Sequence, residues 1–234
     1  MSSFADLAKT LDWSPLWISL KTGAVATVLS FFLGLWAARR VIKKDYRAKS
    51  VIDGILTLPM VLPPTVAGFF LLLIFSRRRA FGIFLNDTFN IQVVHTWLGC
   101  ILAATVIAFP LMYRNARAAF EQVDPDLVYA ARTLGMSDIR LFWKVVVPQA
   151  GPGIASGTVL TFARALGEYG ATSMLAGNIS GRTGTISQRI ATVIRDGDYM
   201  TAGVWVIIML IIALAIIVTI NALSGLKGRR QNRW

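Results

Sequence analysis

Arg164 and Glu168 stand inside an otherwise apolar stretch, four residues apart. That spacing puts both on one helical face. Charges in hydrocarbon are costly unless they pair or face a water-filled cavity. Two readings follow: an intrahelical ion pair that fixes packing, or an arginine that lowers the barrier for an anion while the glutamate prevents a trap. Covalent chemistry has no comparable foothold. The chain contains no G-x-x-x-x-G-K-[ST], H-E-x-x-H or G-x-S-x-G pattern. Its single histidine, His95, reads as an interfacial or packing residue, and its single cysteine, Cys100, as buried filler. One cysteine excludes a disulfide scaffold and a cysteine-rich metal site within the chain. We therefore expect no catalytic residue, no metal site and no cofactor in this chain.

A second constellation runs from Glu121 to Pro148. Asp124 is a good N-cap, Pro125 suits the first helical position, and Asp126 in the first turn complements the helix dipole. Leu127, Ala130, Ala131 and Leu134 share one face, and Gly135 can adopt the left-handed conformation that stops a helix. Ser137 then caps a second short helix with Ile139, Phe142, Trp143 and Val146 on its apolar side, and Pro148 is expected to end it. Such a helix–turn–helix could lie on a bilayer surface, or its alanines could let another protein approach closely.

The elements that carry these groups are set by composition. Of 234 residues, 55 % are hydrophobic and 15 % charged, against about a quarter charged in soluble domains. A water-soluble enzyme and a disordered chain are both excluded. Five stretches reach the roughly 20 apolar residues that a bilayer-spanning helix needs. They run from Leu16 to Ala38, Val51 to Phe75, Val93 to Tyr113, Pro152 to Leu175 and Ala202 to Leu223. Lys21 and Asp53 lie near span ends, where they can snorkel toward water. The region 176–201 is too polar to span, although Ser187–Ile194 could form a short amphipathic helix with Ile190, Val193 and Ile194 facing lipid or a partner.

The net charge of +12 is mostly topological. Basic residues gather at 39–49, at 114–144 and at 227–233, whereas the opposite side holds Lys9, Arg77–Arg79, Arg182, Arg189 and Arg195. The positive-inside rule places the N-terminus outside and the C-terminus in the cytoplasm. A nucleic-acid partner is rejected on the same ground. The Arg77–Arg79 run falls on the outer side, as a headgroup contact or a docking patch. Trp13, Trp17, Trp36, Trp97 and Trp205 lie near span ends, as interfacial indoles do. Phe4, Leu7 and Leu11 could make residues 1–13 an interfacial helix. No signal peptide is expected.

Two more features concern the spans. Pro59, Pro63 and Pro64 remove backbone donors from the second, so freed carbonyls must meet protein or cavity water. Residues 59–68, including Pro63, Pro64 and Thr65, are therefore read as bordering a path near an outer gate. The alternative is a kinked but static packing helix. Gly153 and Gly157 form G-x-x-x-G, which suits close packing or a dimer seam.

The segment Tyr129-Ala130-Ala131, three residues to Gly135, and nine more to Val145-Val146-Val147-Pro148 resembles the EAA loop of ABC importer permeases. The spacing is kept, with Tyr129 in place of Glu and Val145 and Val147 in place of Ile and Leu. Leu58–Gly68 and Phe162–Thr172 look like the second- and fourth-span segments of oxyanion permeases, most of all molybdate permeases. Sulfate and tungstate permeases share much of this. The resemblance implies an all-α polytopic membrane bundle of about five transmembrane helices, a single transmembrane domain over 1–224 with a coupling loop at 121–148, and a basic cytoplasmic tail at 225–234. It implies a multi-pass protein of the bacterial inner membrane and a homodimer, since five helices enclose little space alone. Its implied partners are two ATPase subunits, which hold ATP and magnesium, and a periplasmic binding protein that delivers the anion. Asp126, Tyr129, Ala130, Ala131, Leu134 and Gly135 would face the ATPase. A stand-alone channel or secondary carrier is the competing class, and it leaves the helix–turn–helix unexplained.

Overall fold

The computed structural model describes residues 11–231, and these contain helices and no strand. In chain order they are α1 (Ser14–Ile42), α2 (Tyr46–Val61), α3 (Pro64–Phe75), α4 (Ala80–Phe89), α5 (Trp97–Glu121), α6 (Pro125–Thr133), α7 (Asp138–Leu141), a π-turn (Phe142–Val146), α8 (Val147–Leu166), α9 (Gly170–Ala176), α10 (Ile186–Arg195) and α11 (Tyr199–Gln231). Most of the expected helix over 1–13 lies outside the described residues, as does Arg233 of the tail. The backbone of α11 continues to Gln231 without a break at 224.

Helix α5 is the axis of the bundle, packed by α1 on one side and α8 on another. Small residues make this possible. Thr22, Ala26, Ser30, Gly34 and Ala38 recur every four residues along the buried side of α1. A Cβ at Gly34 would lie 2.9 Å from Met112 Cγ and 3.1 Å from the Tyr113 nitrogen. Gly153 and Gly157 do the same for α8, where a Cβ would come within 2.6 Å of Ala119 and Asn115 respectively. The G-x-x-x-G pair thus seats α8 on α5 of the same chain. Between helices in lipid, such close van der Waals contact replaces the hydrophobic drive that water would supply.

Helix α1, helix α5 and Tyr199–Thr219 of α11 are each long and apolar enough to cross a membrane. The second expected span is a bent pair, Arg47–Val61 and Pro64–Phe75, with an angle of 105° between its halves. A residue before proline is driven to extended backbone. Leu62 precedes Pro63, and Pro63 precedes Pro64; both are extended, with ψ of 144° and 132°. Two such residues in succession break the helix rather than kink it. The fourth expected span is likewise divided, between α8 and α9, at Gly167–Tyr169.

Pro148 does not end the second loop helix. The π-turn carries α7 straight into α8, and the Val147 N–H reaches back five residues to the Phe142 carbonyl. The extra residue relieves the clash that a proline ring would make with an α-helical carbonyl, so Pro148 sits in the first turn of α8.

Trp205 lies near the end of its span but is fully buried, edge-on to Trp13 at 6.1 Å. Val193 is buried as well, because α10 packs on α11 and α1. A capping box between Thr185 and Gln188 starts α10, and its Ile186 N–H donates to Ser19 Oγ at 2.8 Å.

Candidate functional site

The chain presents two regions of functional interest, the loop between α5 and α8 and the junction of the two broken spans. At the first, the Asp124 side chain accepts the Asp126 N–H at 2.9 Å and opens α6 as expected. Gly135 closes it with φ of 75°. Asp126, Tyr129, Ala130, Leu134 and Gly135 are exposed, with Tyr129 at 62 % and Leu134 at 79 %. Ala131 is different: it is buried, on a helix that packs against α7 and the π-turn. The expected apolar side of α7 and the π-turn is also split. Phe142 turns inward, whereas Ile139 and Trp143 are exposed, as Leu134 is.

This loop has a firm base. Phe142 packs edge-on against Phe120 of α5, and the Arg39 guanidinium lies 4.2 Å from the Phe142 ring centroid. Asp138 pairs with Lys43 at 3.3 Å and with Arg132 at 3.6 Å. The Lys43 hydrogen bond, aided by the charges of Lys43, Arg132 and Arg39, holds the Asp138 carboxyl below the usual carboxylate range. The loop is therefore held to the C-terminal ends of α1 and α5, with Tyr129 of α6 and Trp143 outward.

The second region is where the two broken spans meet. Helices α3 and α9 pack together. A Cβ at Gly68 would lie 2.7 Å from Ala171 Cα, and one at Gly170 would lie 3.0 Å from Pro64 Cβ and 3.1 Å from the Thr65 nitrogen. Arg164 and Glu168 form an ion pair at 2.8 Å, and Glu168 also accepts the Ala171 N–H at 2.8 Å. Glu168 thus caps the helix that restarts after the break. Its side chain is 2 % exposed and that of Arg164 37 %. Pro64, Thr65 and the Arg164–Glu168 pair, nearly a hundred residues apart in sequence, are brought to the same junction; Pro63 and Thr65 are exposed there. A cleft of about 570 Å³ lies elsewhere, between α1, α8 and α11, and none of these residues lines it.

Asp53 does not snorkel. Its carboxylate accepts hydrogen bonds from Arg117 and from the Tyr113 hydroxyl. Arg117 also pairs with Glu121 at 3.0 Å, and Glu121 with Lys49. Arg117 and Glu121 are four apart, and so are Lys49 and Asp53; those spacings were the only sign of this network in the sequence. Lys21 is exposed, as its place near a span end suggests.

The described residues thus form a helix bundle built on small-residue contacts, with two broken spans and an outward helix–turn–helix. Solved structures share the fold. A bacterial ABC transporter involved in import of the acidic polysaccharide alginate matches 95 % of this chain and 82 % of its own, with a TM-score of 0.75 and 16 % identity. The MetNI methionine ABC transporter matches 89 % of this chain and 94 % of its own, with a TM-score of 0.64 and 17 % identity.

Residues 30–231 match the family described as binding-protein-dependent transport system inner membrane component, and the chain belongs to that family. The molybdenum transport system permease protein ModB of Escherichia coli K12 is 39 % identical over 223 residues, covering 95 % of this chain and 97 % of that protein. The putative molybdenum transport system permease protein YvgM of Bacillus subtilis is 37 % identical, covering 86 % and 88 %. The sulfate transport system permease protein CysT of Salmonella typhimurium is 33 % identical, covering 91 % and 76 %. The chain is accordingly a membrane-embedded transport permease with an all-α fold.

Proposed function

We propose that the chain is the translocation subunit of an ATP-driven molybdate importer, working as a homodimer with two ATPase subunits and a periplasmic binding protein. The observation that carries the substrate is the 39 % identity to ModB over nearly the full length of both chains. Sulfate is the second reading, favoured by the 33 % identity to CysT. Both are tetrahedral dianions, and neither crosses hydrocarbon unaided, because desolvating the charge costs far more than one contact returns. A path that opens to one side at a time solves this, with ATP hydrolysed on the partner and no covalent step here.

In this reading the N-terminus is outside and the C-terminus cytoplasmic. The exposed residues Asp126, Tyr129, Ala130, Leu134 and Gly135 receive the ATPase. Ala131 keeps their helix at a fixed height. Movement of the loop rocks the spans and alters the junction of α3 with α9, where Pro63, Pro64, Thr65 and Arg164 border the path.

The test is uptake into proteoliposomes containing the chain, the ATPase and the receptor. Uptake of labelled molybdate is expected to require all three, and unlabelled molybdate should compete better than sulfate. Full-rate downhill flux through the purified chain alone would overturn the ATP-driven reading; stronger competition by sulfate would transfer the substrate to the second. Replacing Pro63 and Pro64 by alanine is expected to lower uptake at normal expression, and unchanged uptake would remove these residues from the path.

A further inference from the structure

Helix α2 makes few inward contacts along its length. Val51, Ile55, Leu58, Met60 and Val61 are all more than half exposed. Its apolar purchase on the body comes from Ile52 and Leu56, which pack on the cytoplasmic cluster around α5. What distinguishes the attachment is polar and regularly spaced. Lys49 meets Glu121 and Asp53 meets Arg117, so each helix contributes residues four apart to two successive rungs of an antiparallel ladder. Tyr113, one further turn along α5, hydrogen-bonds the other oxygen of Asp53. Tyr113 is fully buried, which fixes that end of the ladder in the core. Arg117 links the rungs through Glu121.

The ladder lies between two parts with different tasks. Glu121 ends α5, and the next helix, α6, is capped by Asp124 only three residues on. At the other end α2 runs to Val61 and then into the 105° bend that leads to Pro64. From Asp53 to Val61 is about 12 Å of helix at 1.5 Å per residue. The other polar ties of the loop, Lys43–Asp138 and Arg39–Phe142, run to α1 and bypass α2.

We propose that the Lys49–Glu121 and Asp53–Arg117 rungs are the load path from the coupling loop to the broken span: positioning residues that make α2 follow the root of α6, so that the bend at Pro63–Pro64 moves when the ATPase does. This rests on reading 124–148 as the ATPase-coupling loop. The side chains of Asp53 and Arg117 are each about a quarter exposed, so the pair is shielded enough to be held and still close enough to the cytoplasmic surface to shift. The rungs touch neither anion nor nucleotide; their effect is on how much transport each hydrolysis yields.

The experiment uses the full complex in proteoliposomes, measuring ATP hydrolysed per molybdate taken up. Asp53→Asn and Arg117→Gln are each expected to leave the ATPase bound and receptor-stimulated, while the ATP spent per anion rises about tenfold. Inverting both rungs together, Lys49→Glu and Asp53→Arg with Arg117→Asp and Glu121→Lys, keeps every pair of the network opposite in sign and is expected to recover part of the wild-type ratio, which a loss of folding would not permit. An unchanged ratio in Asp53→Asn, or a charge exchange no better than either single change in an assembled complex, would overturn the proposal and leave the coupling reading intact. If the inner rung proves necessary for assembly, Lys49→Gln and Glu121→Gln at the outer rung carry the same expectation, and an unchanged ratio there overturns it. Uptake that ignores ATP in the wild-type complex would instead sink the coupling reading itself.

Discussion

The two partners of the Arg164–Glu168 pair should differ sharply in what their removal costs. Glu168 is 2 % exposed and its other oxygen holds the Ala171 N–H, whereas the arginine side chain is 37 % exposed. Arg164→Ala leaves a carboxylate buried without its counter-ion. Breaking a buried pair in that way costs about 3–5 kcal/mol, and the arginine's partial exposure brings the expectation down to about 2–3 kcal/mol. Glu168→Gln keeps an oxygen for Ala171 and frees a guanidinium at the surface of the chain. If that surface borders a wet path the cation is hydrated there, and the loss is about 1 kcal/mol. The double variant Arg164→Ala/Glu168→Gln has no unpaired charge and should lie near the second single variant. The difference between the two single variants, about 1.5 kcal/mol, is roughly tenfold in the unfolding equilibrium. Detergent-titrated unfolding, followed by indole fluorescence from the buried Trp205 beside Trp13, reads it. Equal losses in the two single variants would refute the placement of Arg164 beside water. Uptake by the double variant separates the roles: restored transport makes the pair a packing device, and lost transport makes the arginine part of the path.

Three further outcomes follow from the packing and the charges. Ala130→Trp, on the exposed side of α6, should abolish copurification of the ATPase without lowering the melting temperature of the chain, whereas Ala131→Trp should lower the melting temperature by overpacking a buried site. Gly157→Ala places a Cβ 2.6 Å from that of Asn115, and the resulting shift of α8 from α5 should cost about 1–3 kcal/mol in the same unfolding assay. Asp138 is held below its ordinary value of 3.8 chiefly by its hydrogen bond to Lys43. Its contribution to loop order is therefore complete above that value and fades as pH falls through the lower folded value. Proteolytic protection of 124–148 should decline at acid pH in the wild type, and Asp138→Asn should remove that part of the decline.

The helical class, the apolar stretches and the boundaries of α6 were legible because each is written locally. Asp124, Pro125 and Gly135 act within one turn of their own positions, and the structure places all three in the roles their chemistry suggests. The two span breaks were half legible. Paired prolines predict a disturbed helix, but the step from a kink to a 105° bend depends on Leu62 and Pro63 both being extended. At the other break no proline warns of anything. Hydropathy averages across Gly167, while the interruption comes from a glutamate that caps the next helix. The continuation through Pro148 was hidden for a similar reason: a π-turn is a register change that local propensity does not encode.

Inward and outward faces were harder still, since they depend on what lies across from each helix. Ala130 and Ala131 are the same residue type in adjacent positions, and both belong to the apolar side by periodicity. One is buried within the loop and the other is exposed. A similar division separates Phe142 from Trp143. Asp53 carries the point furthest. Read alone, a single carboxylate near a span end goes to water; read with Tyr113, Arg117 and Glu121 on a helix some sixty residues away, it is an attachment. A charge that could have reached water and is held inside instead costs stability unless its partners compensate. That cost is the physical reason to look for a mechanical role at this ladder, because apolar contacts alone would have attached α2 without fixing where along α5 it sits.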